Sequence, residues 1–157
     1  WIAISALLVF GVGCGAADAG STQETAQVDT ETGLASEKSA EPVTIAYGEQ
    51  VSLVDHYDPN GYTVFDFTSK YCGPCQQFAP WLDQLHRTRS DVSVVKVDIN
   101  RPGVRGIDWG SPVARQYKMQ SIPYFKVFDN TGTMIADGRA GQALVVKWLQ
   151  QMDQPGR

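Results

Sequence analysis

From residue 43 onward, short apolar runs of strand character alternate with longer stretches whose apolar residues recur at helical spacing. "VTIAYGEQVSLVD" reads as two short strands around Tyr47-Gly48, and "DPNG" (58–61) as a turn. "YTVFDF" (62–67) is a compact β-branched and aromatic run, the pattern of a buried strand. In the next stretch Phe78, Trp81, Leu82 and Leu85 predict a helix that turns these residues toward a sheet, with Pro80 inside it as a kink. "VSVVKVDI" (92–99) predicts a second buried strand. After the irregular "NRPGVRGIDWG", Ser111-Pro112 has the cap-then-proline pattern of a helix start, with a helix to about Lys118. "PYFKVFD" and "TMIADGR" flank Asn130-Thr131-Gly132 as a hairpin, and a last helix puts Val145, Trp148, Leu149 and Met152 on one face. The order β-β-β-α-β-α-β-β-α predicts an α/β fold with a mixed sheet and helices on both faces.

The pattern before residue 43 is different. Residues 1–13, "WIAISALLVFGVG", carry no charge, whereas residues 15–42 hold seven charged residues and only Val28 and Leu34 as large apolar side chains. The second segment cannot bury enough surface to offset the entropy of ordering, and it reads as a disordered tether. The first has the length of a signal-peptide core rather than of a membrane span. It ends in "GVGC", which resembles a bacterial lipobox with Cys14 as the lipidated residue, although Gly11 stands where leucine is usual. Cleavage after Ala17-Asp18-Ala19 and retention as an uncleaved anchor are the alternatives. The expected organisation is a leader over 1–14, a tether over 15–42 and a folded domain over 43–157, exported and tethered to the membrane on the periplasmic side of a bacterial envelope.

The formal charge of −4 is spread along the chain, and no basic stripe exists to neutralise phosphates, so no nucleic-acid partner is expected. The chemistry concentrates in "YCGPC", Tyr71 to Cys75. A structural zinc site needs four ligands, and one cysteine pair with unpaired His56 and His86 does not supply them; no metal and no cofactor are expected. A bridge closing so short a loop removes little unfolded-state entropy, which makes it a weak staple. A redox pair is the stronger reading. Cys72 falls at the N-terminus of a helix, where free N–H groups and the helix dipole stabilise a thiolate, and Pro74 suits the first turn. Cys75 lies one turn in. Asp66 sits amid Val64, Phe65 and Phe67, where a carboxylate is costly unless it has a task.

With these residues in place, the chain resembles the thioredoxin family over about residues 50–153. The resemblance rests on Asp66 before the motif, Pro80 after it, Lys96 in "VVKVD" and Ile122-Pro123 in "QSIPYF", with Gly141 matched to the glycine ahead of the last helix. It implies a thioredoxin-like fold, a cis Ile122-Pro123 bond and a proton exchange between Asp66 and Cys75 that Lys96 tunes. It further implies a substrate surface of Tyr71, Gly73, Pro74, Ile122, Pro123 and Gly141. The chain departs from the family pattern at Tyr71 and Thr68, where tryptophans are usual, and in a longer segment over 100–112. Trp109 in that segment is expected either to fold back beside Thr68 as part of the substrate site or to plug the loop onto the core. The opening, a hairpin in place of a helix, looks more like membrane-tethered reductases of cytochrome c maturation.

The activity implied is reduction of protein disulfides by a monomer, with a membrane electron shuttle as donor. The Gly-Pro between the cysteines resembles the reducing members. An oxidase or isomerase on the same fold, or a non-catalytic binding module, are the alternatives.

Overall fold

The computed structural model describes residues 38–153. Five strands form one sheet in the order β1-β3-β2-β4-β5: β1 Val43–Ile45, β2 Tyr62–Thr68, β3 Val92–Asp98, β4 Tyr124–Phe128 and β5 Met134–Asp137. The first three run parallel, and β4 and β5 add antiparallel pairs on the other side of β2. Three helices complete the domain: α1 Gly73–Thr88, α2 Pro112–Gln116 and α3 Gly138–Met152. This is the mixed, helix-flanked sheet that the hydrophobic pattern predicts. Among the described residues, no helix is long and apolar enough to cross a membrane.

Alternation along β2 and β3 splits the core in two. Phe65, Phe67, Val95 and Val97 pack with Ile99, Val113 and Phe128 on the α2 side. Val64, Val92 and Val94 pack with Leu82, Leu85, Phe125 and Val145 on the α1 and α3 side. Central β2 is buried on both faces, which explains why apolar residues occupy successive positions in it rather than alternating with exposed polar ones.

Four sequence expectations need correction. The strand expected after Tyr47-Gly48 does not form. Ala46, Tyr47 and Gly48 all take positive φ, and the turn they make sends the chain into a loop and a 3-10 turn over Leu53–Asp55. Side chains of α2 and its cap meet Val51 there: Gln116 bonds both its N–H and its carbonyl, and the Tyr117 hydroxyl donates to the same carbonyl. The second helix stops at Gln116, because Lys118 turns left-handed at φ 52°. The Met119 N–H then bonds Ala114 O and the Lys118 N–H bonds Arg115 O, the Schellman closure. Trp81 does not join the buried stripe of α1 but lies 48% exposed, while Leu82 and Leu85 are buried. Its direction on the helical wheel falls outside the stripe that Cys75, Leu82 and Leu85 define.

The fourth correction concerns the tether. The Lys38 ammonium donates to the carbonyls of His86, Arg89 and Val92, at the end of α1 and the start of β3. Ser39 O accepts from His86 Nε2, and Glu41 pairs with Arg87. Residues 38–42 therefore belong with the domain, through contacts far away in sequence. The leader, Cys14 and the tether up to residue 37 lie outside the described residues.

Candidate active site

The site forms where β2 ends and α1 begins. Cys72 is the N-cap of α1, with extended backbone, and its Sγ accepts from the Cys75 N–H at 3.2 Å. Gly73 and Pro74 open the helix, as the missing proline N–H allows. Cys72 and Cys75 are joined in a disulfide with Cα atoms 5.2 Å apart, and both are buried. Ile122-Pro123 is a cis peptide, and Ile122 O lies 3.7 Å from Cys72 Sγ. The loop before β4 thus backs directly onto the first sulfur. Tyr71 projects beside it, 41% exposed.

Beneath the pair, Asp66 is 2% exposed on central β2. It follows Val64 on the side of the sheet covered by α1, the side to which α1 turns buried Cys75. Its Oδ1 has no hydrogen-bond partner. Burial pushes this carboxyl up to about 7; nearby Lys96 pulls it down and Asp83 pushes it up. A group of that kind changes protonation near neutrality, which suits exchange with a thiol. Lys96 lies beside Asp66 in the β2–β3 register but pairs with Asp83 of α1 at 2.6 Å. Sequence reading missed Asp83. Its only signal is its position eight residues after Cys75, near the buried stripe.

A second missed feature lies on the approach to the cysteines. The Ser69 hydroxyl donates to Asn100 Oδ1 at 2.6 Å and accepts from the Tyr71 N–H, while Ser69 O accepts from the Cys72 N–H. Asn100 Nδ2 donates to Gly106 O, and Arg101 grips Asp108 through two nitrogens. The longer segment is therefore tied to the site through Ser69. Trp109 is 41% exposed, and Ile107 is the residue of this segment that packs against the core.

Gly141 also needs correction. It lies inside α3, where an added Cβ would sit 2.4 Å from Phe125 O. Its role is close packing of α3 on β4. The glycine that opens the helix is Gly138, at φ 51°. Among the described residues, no group of His, Cys, Asp and Glu is placed to hold a metal ion.

Comparison with known proteins agrees with this geometry. The sequence model of the family described as Thioredoxin matches residues 46–151. Thioredoxin H-type of Ricinus communis is 35% identical over 80 residues, which cover 51% of this chain and 59% of that protein. Thioredoxin 1 of Plasmodium falciparum is 31% identical over 71 residues, covering 45% of this chain and 61% of that protein. The chain thus spans about three-fifths of the length of these relatives. A thioredoxin of Mycobacterium tuberculosis H37Rv is 29% identical over 119 residues, 74% of this chain and 93% of that one. Among solved structures, thioredoxin f from spinach chloroplast (short form) shares the fold with a TM-score of 0.50 at 18% identity, covering 74% of this chain and 97% of that one. The family match, with a cysteine pair capping α1, a cis-proline loop against it and a buried aspartate below, makes this chain a member of the thioredoxin family.

Proposed function

We propose that this protein is a thiol–disulfide oxidoreductase that reduces protein disulfides outside the cytoplasm, as a monomer tethered to the membrane through Cys14. The observation that carries the chemistry is the Cys72–Cys75 pair set over a buried carboxyl whose pKa stands at about 7. In the reduced state, the Cys72 thiolate attacks one sulfur of a substrate disulfide. The substrate S–S bond breaks, a Cys72–substrate disulfide forms, and the departing substrate sulfur takes up a proton. Asp66 accepts the proton of the Cys75 thiol, and the Cys75 thiolate attacks Cys72 Sγ. This releases the second substrate thiol and leaves the Cys72–Cys75 disulfide. Two electrons pass from protein to substrate, and a membrane dithiol donor must return them. The backbone around Ile122-Pro123 lies against Cys72 Sγ, in reach of a substrate chain lying across the site.

A binding module has no need of a titrating carboxylate under its cysteines, which weighs against that alternative. Redox titration of the pair decides between reductase and oxidase. A potential below roughly −240 mV is expected; one above roughly −190 mV makes the protein an oxidase or isomerase. Cys75→Ser is expected to trap the substrate as a mixed disulfide, and a partner bound equally without covalent trapping overturns the enzymatic reading. Export and tethering rest on the sequence of residues 1–14. Cys14→Ala is expected to move the protein from the membrane fraction to the soluble periplasmic fraction, and unchanged fractionation overturns lipidation.

A further inference from the structure

The segment between β3 and α2 is longer than a plain connection requires, and its polar groups are turned inward. Asn100, Asp108 and Ser69 are buried although they lie in loops. Their partners account for that burial. Asn100 Oδ1 accepts from the Ser69 hydroxyl and, at 3.4 Å, from the Asp108 N–H, and Asn100 Nδ2 donates to Gly106 O at 2.6 Å. Arg101 Nε and Nη2 lie 2.8 and 3.1 Å from the Asp108 carboxylate, and this pairing holds the carboxyl below the usual carboxylate range. On its far side the segment is wedged against the Gly48 turn, where an added Cβ would sit 2.6 Å from Arg101 N. A loop pinned at both ends and across its middle is a rigid body rather than a flexible connector.

What this rigid body displays is not inert. Its inward acid is paired with Arg101, and Arg105 near its tip and the large ring of Trp109 stand exposed. Ser69, the residue it grips, is followed by exposed Lys70, whose ammonium stands 5.2 Å from the Tyr71 ring centroid. Gln76 Nε2 fixes the Lys70 carbonyl at 2.5 Å. Lys70 and Tyr71 thus adjoin the cysteine motif, and Arg105 and Trp109 stand exposed on the segment docked to it through Ser69, on a chain whose formal charge is −4. Neither a buried polar anchor nor an exposed aromatic beside it is needed for attack of thiolate on disulfide.

We propose that residues 100–110 form a rigid rim of the redox site, docked through the Ser69–Asn100 bond, and that Lys70, Arg105, Tyr71 and Trp109 select polypeptide disulfides flanked by acidic residues. This deepens the reductase reading and rests on it. The rings offer apolar area at little entropic cost, and the cations steer encounter and set orientation. Asn100 acts here as a positioning residue, through Ser69 and the loop.

The test uses the full chain, recycled by the dithiol dithiothreitol with its direct reaction subtracted, and two synthetic disulfide peptides that differ only in flanking residues, glutamates in one and lysines in the other, with 2-hydroxyethyl disulfide as a small neutral probe. The wild-type protein is expected to show kcat/KM about tenfold higher for the glutamate peptide at low salt, the preference collapsing at 0.5 M salt as screening shortens the reach of the charges. The double variant Lys70→Glu/Arg105→Glu, which alters only exposed side chains, is expected to invert the preference. Asn100→Ala is expected to raise KM for the glutamate peptide severalfold more than it lowers kcat. Equal kcat/KM for the two peptides in the wild type, or a preference that survives the double variant, overturns the proposal. Turnover of 2-hydroxyethyl disulfide without peptide discrimination sinks the rim alone. Turnover of none of the three substrates sinks the reductase reading as well.

Discussion

The two faces of the sheet are built by the same strands and carry different contents. On the α2 side, β2 and β3 present Phe65, Phe67, Val95 and Val97, and the aromatic rings meet edge to face, Phe65 with Phe128 and Phe67 with Tyr117. On the α1 side, the alternate positions give Val64 and Val94 but also Asp66 and Lys96, with Asp83 and His86 descending from the helix. One face is apolar at its centre, with the buried hydroxyls of Thr63 and Ser93 and the ammonium of Lys126 around it. The other is a core interrupted by ionisable groups, gathered under the helix that holds the cysteines. The difference teaches how the domain divides its tasks: the α2 face supplies stability that the α1 face can surrender for chemistry.

The largest effect that tests this division is expected from Phe67→Ala. Removing a fully buried ring from the apolar face costs about 3–5 kcal/mol of unfolding free energy, read by urea denaturation. A loss below about 1 kcal/mol would mean that the apolar face is not the stabilising one.

Asp66→Asn is expected to act in the opposite sense, in a pH-dependent way. The folded carboxyl titrates near 7 against an ordinary 3.8, so the native state holds its proton to higher pH than the unfolded chain. Its stability contribution is complete below about pH 4 and is lost as pH rises through 7. The shift corresponds to roughly 4 kcal/mol at most. The asparagine variant is expected to lose that decline, gaining on the wild type at pH 8 relative to pH 4, while its resolving step slows. Parallel pH profiles of stability for the two proteins would break the comparison.

His86 gives a smaller effect, at the other end of α1. Its Nδ1 accepts from the buried Val94 N–H and its Nε2 faces Ser39 O, so the neutral ring is the form that fits. Burial lowers its pKa, opposed by the Ser39 carbonyl; Lys38 lowers it further, while Glu41 and Asp83 raise it. The folded value is depressed, so this contribution is present above about pH 6.5 and is lost as pH falls through the folded value. His86→Phe is expected to cost about 1–3 kcal/mol at pH 7.5, from the orphaned N–H, and to lose this acid dependence. A variant as acid-sensitive as the wild type would move the cause elsewhere.

The smallest effect belongs to Asp83 and Lys96, each about one-quarter exposed and therefore screened by solvent. Asp83→Asn is expected to lower the Asp66 pKa by removing a repelling charge and releasing Lys96. Lys96→Met is expected to raise it. Carboxyl NMR titration of Asp66 reads both, and shifts of the same sign would show that the three groups do not act as one set.

These groups were unequally legible in the sequence. Asp66 stands out because a carboxylate inside a β-branched and aromatic run contradicts its surroundings. Cys72 and Cys75 stand out through their spacing and through the strand before and helix after them. Asp83 looks like any polar residue of an amphipathic helix, and its meaning arises only where α1 crosses Lys96 on β3. Asn100 and Ser69 lie in different loops, as do Lys38 and the end of α1, and no local pattern links them. Gly138 and Gly141 stand three residues apart in the first turn of the same helix, and only packing tells which one meets a backbone carbonyl.

The sequence by itself determined what depends on near neighbours. Periodicity set the strand and helix order from Tyr62 onward, the Gly-Pro spacing set the capped cysteine, and the apolar run around Asp66 set a buried acid. These follow from local sterics, capping and hydrophobic alternation, which act over a few residues. The tertiary structure alone decided which charges meet across the α1–β3 interface, how the 100–110 segment grips Ser69 and where residues 38–41 attach. Those contacts join positions far apart in the chain, and a side chain's pKa or partner is fixed by distance and burial once the chain has closed on itself.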